Sequence, residues 1–257
     1  VAAYPSIVAL FEDAMQRFPD LPACSSVGHS ISYSELDKLS ANFASWLQSD
    51  SGLSKGDRVA IQMPNLMQYL VACLGTLRAG MVVVNTNPLY TERELEHQLN
   101  DSGARLLVVQ ANVAETASRV VAKTGIEKII LTEIADLHSV PKRWLINAVV
   151  KHVKKMVPKV SLPNVIKFND VLKKGAQKAF SPVDVNLSDL AMLQYTGGTT
   201  GVAKGAMLLH GNIVANVMQL DGFFETFGIE AEGAVFMQPL PVYHIYAFTV
   251  SMYSLRK

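Results

Sequence analysis

The chain has 257 residues, 49% of them hydrophobic, with 23 Lys and Arg against 22 Asp and Glu; it can bury a core sized for one large domain or parts of two. A net charge of +1 leaves no electrostatic footprint for nucleic acid or for an acidic partner. Cys24 and Cys73 lack metal-ligand or redox spacing and read as buried apolar residues in a reducing compartment, and no apolar run reaches the roughly 18 residues a membrane span needs, so a cytoplasmic location is expected.

Ser6 is placed to cap a helix whose Ile7, Leu10, Phe11, Ala14, Met15 and Phe18 fall on one face. Ala23 to Val27 and Ser30 to Tyr33 flank Gly28-His29 and predict a two-strand hairpin. A helix capped by Ser34 follows, with Leu36, Leu39, Phe43, Trp46 and Leu47 inward and Gly52 as its stop. Arg58 to Met63, Leu66 to Ala79 and Met81 to Val84 then read as strand, apolar helix and strand, a β-α-β unit with a buried parallel pair. Thr91-Glu-Arg-Glu94 predicts a capping box for a helix carrying Leu95 and Leu99, closed near Gly103. Leu106 to Val109, a helix near Val113 to Lys123, and Lys128 to Leu131 repeat the alternation, so residues 1–140 form a layered α/β unit with a mostly parallel sheet.

From Pro141 to Phe180 there are ten Lys or Arg residues and one acid, Asp170. Trp144, Leu145, Ala148, Val149, His152, Val153 and Met156 recur at helical spacing with Lys151, Lys154 and Lys155 on the other side. Two readings stand: a solvated helix packed on the domain by its apolar face, or a basic amphipathic helix at 142–159 lying on an anionic membrane surface. Residues 141–180 are treated as a basic helix-loop insertion.

Residues 181–257 carry the chemistry. A strand from Leu190 runs into Tyr195-Thr-Gly-Gly-Thr-Thr-Gly-Val-Ala-Lys-Gly205, eleven residues with four glycines, three threonines and one lysine. Glycines let successive N–H groups converge on an anion; the hydroxyls of Thr196, Thr199 and Thr200 add short donors and Lys204 adds a mobile positive charge. A nucleotide-triphosphatase P-loop needs Gly-Lys followed by Ser or Thr, whereas here the lysine is followed by Gly205 and the strand-like Ala206 to Leu209. On composition alone the same stretch also reads as a flexible turn. A helix from Asn212 to about Phe224 and a strand at Val235 to Gln238 complete the segment, ending at Pro239-Leu-Pro241 and Tyr243-His244-Ile-Tyr246.

The eleven-residue stretch resembles the phosphate-binding signature of the adenylate-forming (AMP-binding) superfamily, whose expected form is Tyr-Thr-Ser-Gly-Thr-Thr-Gly-x-Pro-Lys-Gly. Gly197 and Ala203 depart from it, removing a hydroxyl and a rigid turn residue; both departures resemble the bacterial long-chain fatty-acyl-CoA synthetases. Pro239 to Phe248 resembles the superfamily's second signature, a proline-led strand end with an aromatic residue and a histidine, and Asn85 to Arg105 resembles its early block, read here as structural. The resemblance spans nearly the whole chain but only the first part of the family's length, so residues 1–257 are expected to be the amino-terminal portion of a large AMP-binding domain.

That resemblance implies that Tyr195, Thr196, Gly197, Gly198, Thr199, Thr200, Gly201, Lys204 and Gly205 hold ATP, that Thr196 supplies an oxygen to Mg²⁺, and that Lys204 and His244 act in catalysis. It further implies that His244 orients the carboxylate and that Phe248 takes the place of an aromatic gate to the acyl tunnel. The implied reaction is ATP-dependent activation of a long-chain fatty acid, first to acyl-adenylate and then, with coenzyme A, to the thioester. The fragment alone is expected to lack full ligase activity, because no counterpart of the later family blocks is present. Alternative readings are an adenylate-forming enzyme for another carboxylate and a non-catalytic nucleotide- or lipid-binding module.

Overall fold

The computed structural model describes residues 4–196, 202–228 and 233–257. Helix α1 (Ile7–Arg17) begins at Ser6, whose hydroxyl accepts from the Ala9 N–H at 3.2 Å. Strands β1 (Pro22–Ser26) and β2 (His29–Ser32) pair as the expected antiparallel hairpin, apart from the main sheet. Helix α2 (Tyr33–Asp50) is capped by Ser32, not Ser34: the Ser32 hydroxyl accepts from the Glu35 N–H at 3.1 Å, and the Glu35 carboxylate accepts from the Ser32 N–H at 3.0 Å. The reciprocal pair satisfies two amide donors that a Ser34 cap would leave unpaired.

The main sheet contains β3 (Arg58–Gln62), β4 (Val82–Thr86), β5 (Ala104–Gln110), β6 (Lys128–Thr132), β7 (Val165–Lys167), β8 (Leu190–Thr196) and β9 (Lys204–Leu209) in the order β7-β6-β5-β3-β4-β8-β9. All neighbours are parallel except β9, which runs antiparallel to β8. The strands come from all three sequence segments, 1–140, 141–180 and 181–257.

Side-chain alternation sorts the sheet into two cores. Val59, Ile61, Val83, Leu106, Val108, Ile130 and Met192 face one core with α1, α2, α3 (Met67–Arg78) and α7 (Phe168–Gly175), into which α8 (His210–Thr226) and α9 (Ile245–Arg256) also pack. Ala60, Val84, Leu107, Val109, Ile129 and Tyr195 face the other, covered by α4 (Glu92–Ser102) and α5 (Ala114–Val120). With helices on both faces, β3 and β4 read as unbroken apolar runs, which is why the β-α-β unit was legible. Helix α4 carries the predicted Thr91–Glu94 capping box and ends at Gly103, whose φ of 62° suits a residue without Cβ.

Two expectations fail. Val235 to Gln238 is not a strand: Val235 is 99% exposed, and no neighbouring strand among the described residues offers the segment a ladder. The basic helix is neither continuous nor packed by its apolar face. Helix α6 (Lys142–Ala148) passes into a π-helical turn at Val149–Val153, no residue of either is buried, and Trp144, Leu145, Val153 and Met156 are exposed. The segment is held instead by a polar contact: Asn147 accepts from the Ala135 N–H at 3.0 Å and donates to the Glu133 carboxylate at 3.1 Å.

Candidate functional site

In a parallel sheet the side chains at the carboxyl ends of the strands are the ones left free to meet a ligand. Here β4 ends at Asn85 and Thr86, β8 ends at Tyr195 and Thr196, and a cavity of about 1070 Å³ opens beside them. Its wall is completed by Tyr90, Glu94, His97 and Gln98 from α4 and the loop before it, by Val202 and Ala203, and by Tyr243, His244 and Ile245. Thr196 and His244, from two motifs far apart in sequence, therefore line one space.

Tyr195 is committed to holding β8. Its hydroxyl donates to Asp101 of α4 at 2.5 Å, and burial, reinforced by that carboxylate, pushes the phenol well above its ordinary range, so it stays a donor. Its ring leaves no room for a side chain at residue 205: a Cβ on Gly205 would lie 2.9 Å from Tyr195 Cε2. One α4 turn earlier, His97 Nε2 lies 2.9 Å from the Ala203 carbonyl oxygen. Helix α4 thus grips both limbs of the glycine-threonine stretch.

Thr196 is exposed at the end of β8, opposite Lys204 in the antiparallel register, and Lys204 is exposed at the start of β9. Gly197, Gly198, Thr199, Thr200 and Gly201 lie outside the described residues. His244 is the N-cap residue of α9 and is exposed. Phe248 is not brought to the cavity; its side chain is fully buried in the core that holds Met252 and Tyr253.

Four residues of this region carry no motif signal by themselves. Gln194 donates to the Tyr243 carbonyl at 3.1 Å and accepts from Asn85 Nδ2 at 3.1 Å. Asn65 donates to the carbonyls of Gln238 at 3.0 Å and Leu240 at 2.9 Å and accepts from the Val242 N–H at 2.9 Å. His97 and Asp101 lie in a helix that its capping box already explained. For Gln194 the available signal was a polar residue inside an apolar strand, since a buried amide is retained only where it is hydrogen-bonded.

Among the described residues no group of three or more His, Cys, Asp or Glu side chains could hold a metal ion. A magnesium ion bound mainly through substrate phosphates and waters needs few protein ligands, and the Thr196 side chain at the cavity wall fits that limited role.

The fold and site define an α/β protein with its ligand cavity at the carboxyl ends of parallel strands, beside a glycine-threonine-lysine stretch. Residues 11–256 match the family model described as AMP-binding enzyme, and the chain belongs to that family. It is 48% identical over 250 residues to a long-chain-fatty-acid–CoA ligase of Salmonella typhimurium, covering 96% of this chain and 44% of that protein. The same identity holds over 249 residues against the long-chain-fatty-acid–CoA ligase of Haemophilus influenzae, again 44% of its length. The crystal structure of a long-chain-fatty-acid–CoA ligase from Archaeoglobus fulgidus aligns over 99% of this chain and 46% of that one, with 27% identity and a TM-score of 0.74. The chain therefore spans less than half the length of these relatives, and its architecture is that of the amino-terminal domain of adenylate-forming enzymes.

Proposed function

We propose that the protein to which this chain belongs activates a long-chain fatty acid with ATP, forming acyl-adenylate and pyrophosphate, and then passes the acyl group to coenzyme A with release of AMP. The observation that carries this reading is the single cavity lined by Thr196 and His244, in a chain 48% identical to ligases of that name. Adenylation brings two anions together, so the protein's task is positioning and charge compensation. Lys204 follows the charge of the leaving pyrophosphate and Thr196 offers an oxygen to Mg²⁺, which neutralises the phosphates when bound. His244 faces the reacting carboxylate and α-phosphate. The nucleophiles belong to the substrates: the carboxylate oxygen attacks phosphorus, and the thiolate of coenzyme A attacks the acyl carbon.

The test is fatty-acid-dependent AMP release by the native gene product, its Lys204→Ala variant, and residues 1–257 alone. Activity on long acids, a loss of about tenfold or more in Lys204→Ala, and a silent fragment support the proposal. Activity only on aryl, short or amino acids would replace the substrate class. No activity on any carboxylate would leave a nucleotide- or lipid-binding module.

A second element of the proposal concerns location: a cytoplasmic enzyme that touches the inner face of the membrane through residues 142–159. The supporting observation is the exposure of Trp144 (65%) and Val153 (73%) beside Lys142, Arg143, Lys151, Lys154 and Lys155. An amphipathic segment of this kind gains from both apolar insertion and anionic headgroups. Co-sedimentation with vesicles containing anionic lipid should fall as salt rises and should weaken in Trp144→Ala; sedimentation indifferent to both changes sinks it.

A further inference from the structure

The segment carrying His244 crosses the carboxyl ends of β4 and β8 without joining the sheet. From Val235 to Tyr243 it has no strand neighbour among the described residues, and several of its backbone groups are satisfied by side-chain amides instead. Asn65 holds it on one side through Gln238, Leu240 and Val242. Gln194 holds it on the other through the Tyr243 carbonyl, the residue before His244.

Gln194 does not act alone. It sits directly opposite Asn85 in the parallel β4–β8 register. Asn85 Nδ2 donates to Gln194 Oε1 at 3.1 Å, Tyr69 donates its hydroxyl to Asn85 Oδ1 at 2.7 Å, and Gln98 Nε2 donates to the Asn85 carbonyl at 2.9 Å. Tyr69, Asn85, Gln98 and Gln194 are all buried. Donors run in one direction, from Tyr69 in α3 through β4 and β8 to the Tyr243 carbonyl, and the Asn85 and Gln194 side-chain amides each both accept and donate. Buried chains of this kind polarise one another and restrict their members to one geometry.

We infer that Gln194, oriented by Asn85 and Tyr69, is a positioning residue for His244 in the adenylation step. The inference rests on the function proposed above. Its basis is geometric: the strand that presents Thr196 to the cavity carries Gln194 two residues earlier, so one rigid element sets both the phosphate-binding strand and the backbone that delivers His244. A merely space-filling amide would need no bond to the Tyr243 backbone. Loss of this bond frees His244 while leaving the sheet and the ATP-binding residues in place.

The experiment uses the native gene product and its Gln194→Met variant, which keeps the side-chain length but removes donor and acceptor. The kcat for fatty-acid-dependent AMP release should fall about tenfold, with KM for ATP changed less than about threefold, because a small misplacement of a reacting group is costed in the transition state. In a His244→Ala background the same substitution should change kcat less than about twofold, since coupled residues are not additive. Tyr69→Phe, which removes only the far donor and little volume, should reproduce the kcat effect at about two- to threefold and covers the case in which Gln194→Met does not fold. Equal loss in the presence and absence of His244, or an unchanged kcat in both variants, overturns the inference. Hydrogen exchange separates this from failure of the functional reading: the amides of 238–248 should exchange at least about tenfold faster in Gln194→Met while those of β8 keep their protection. If the wild-type product activates no carboxylate, the functional reading falls and the catalytic role falls with it. Exchange still decides the positioning claim, and unchanged exchange at 238–248 overturns that as well.

Discussion

Tyr195 and Asp101 are joined by a 2.5 Å hydrogen bond that ties the last turn of α4 to the strand entering the glycine-threonine stretch. The tyrosine that opens the family signature is thereby a fastening for β8. Tyr195→Phe should cost about 1 kcal/mol of stability and raise KM for ATP several-fold. Asp101→Ala should do much the same, with the double variant no worse than either single one. Chemical denaturation together with ATP titration of the native gene product checks this; additive losses would show that the two residues act separately.

Gly205 is sensitive to a single methyl group. Its added Cβ would meet the Tyr195 ring at 2.9 Å, and the ring is already held by Asp101. Gly205→Ala should therefore destabilise by about 1–3 kcal/mol and depress activity more than a Gly222→Ala control, whose Cβ would meet nothing within 4 Å. Comparable melting temperatures and rates for the two variants would remove the steric account.

Phe248 offers a choice between core and gate. It is fully buried with Met252 and Tyr253, so Phe248→Ala should cost about 3–5 kcal/mol and leave the order of preference among fatty acids as it was. A panel of acids of increasing chain length decides the matter. A changed preference at wild-type stability would restore the gate that the family resemblance implies.

His210 makes stability depend on pH. Burial pushes its imidazole down from 6.5 to about 4, with the Lys55 ammonium adding in the same direction and the Asp189 carboxylate opposing. The folded-state value lies below the unfolded one, so its contribution is present above pH 6.5 and is lost as pH falls toward 4. By pH 5 the loss should be on the order of 1–2 kcal/mol. His210→Phe should remove that portion of the acid sensitivity, so the gap between variant and wild-type denaturation midpoints should move in the variant's favour from pH 7 to pH 5. A gap independent of pH would contradict the assignment.

Local signals were legible where one residue's chemistry decides a local geometry. The Thr91–Glu94 box, Gly103 in the left-handed region and the apolar runs of β3 and β4 all follow from short-range rules. The Ser32 cap was readable by the same Ser-x-x-Glu spacing and was missed by two residues. Strand order was not readable, because the placement of β8 beside β4 depends on contacts more than 100 residues apart in sequence. Helical period at Trp144 to Met156 pointed to one continuous apolar face, but the helix passes into a π-helical turn at Val149–Val153 and no residue of either is buried. The motif residues Thr196 and His244 were found because their order resembles a family. Asn65 and Gln194 were not, and Asn85 was reached only as the start of a block read as structural, because an amide declares its role only when the backbone it holds has arrived beside it.

The turn of direction between β8 and β9 has one more consequence. Thr196 lies opposite Lys204, and β9 leads back along the sheet, so among the described residues the element after β8 is another strand. Many phosphate sites draw on the positive end of a helix, a charge built permanently into the backbone. In the function proposed above, the cationic share would fall to the long side chain of Lys204, which would swing toward pyrophosphate as it forms and swing off as it departs. Such a grip is a hand more than a socket, suited to a product that has to be released on every turnover.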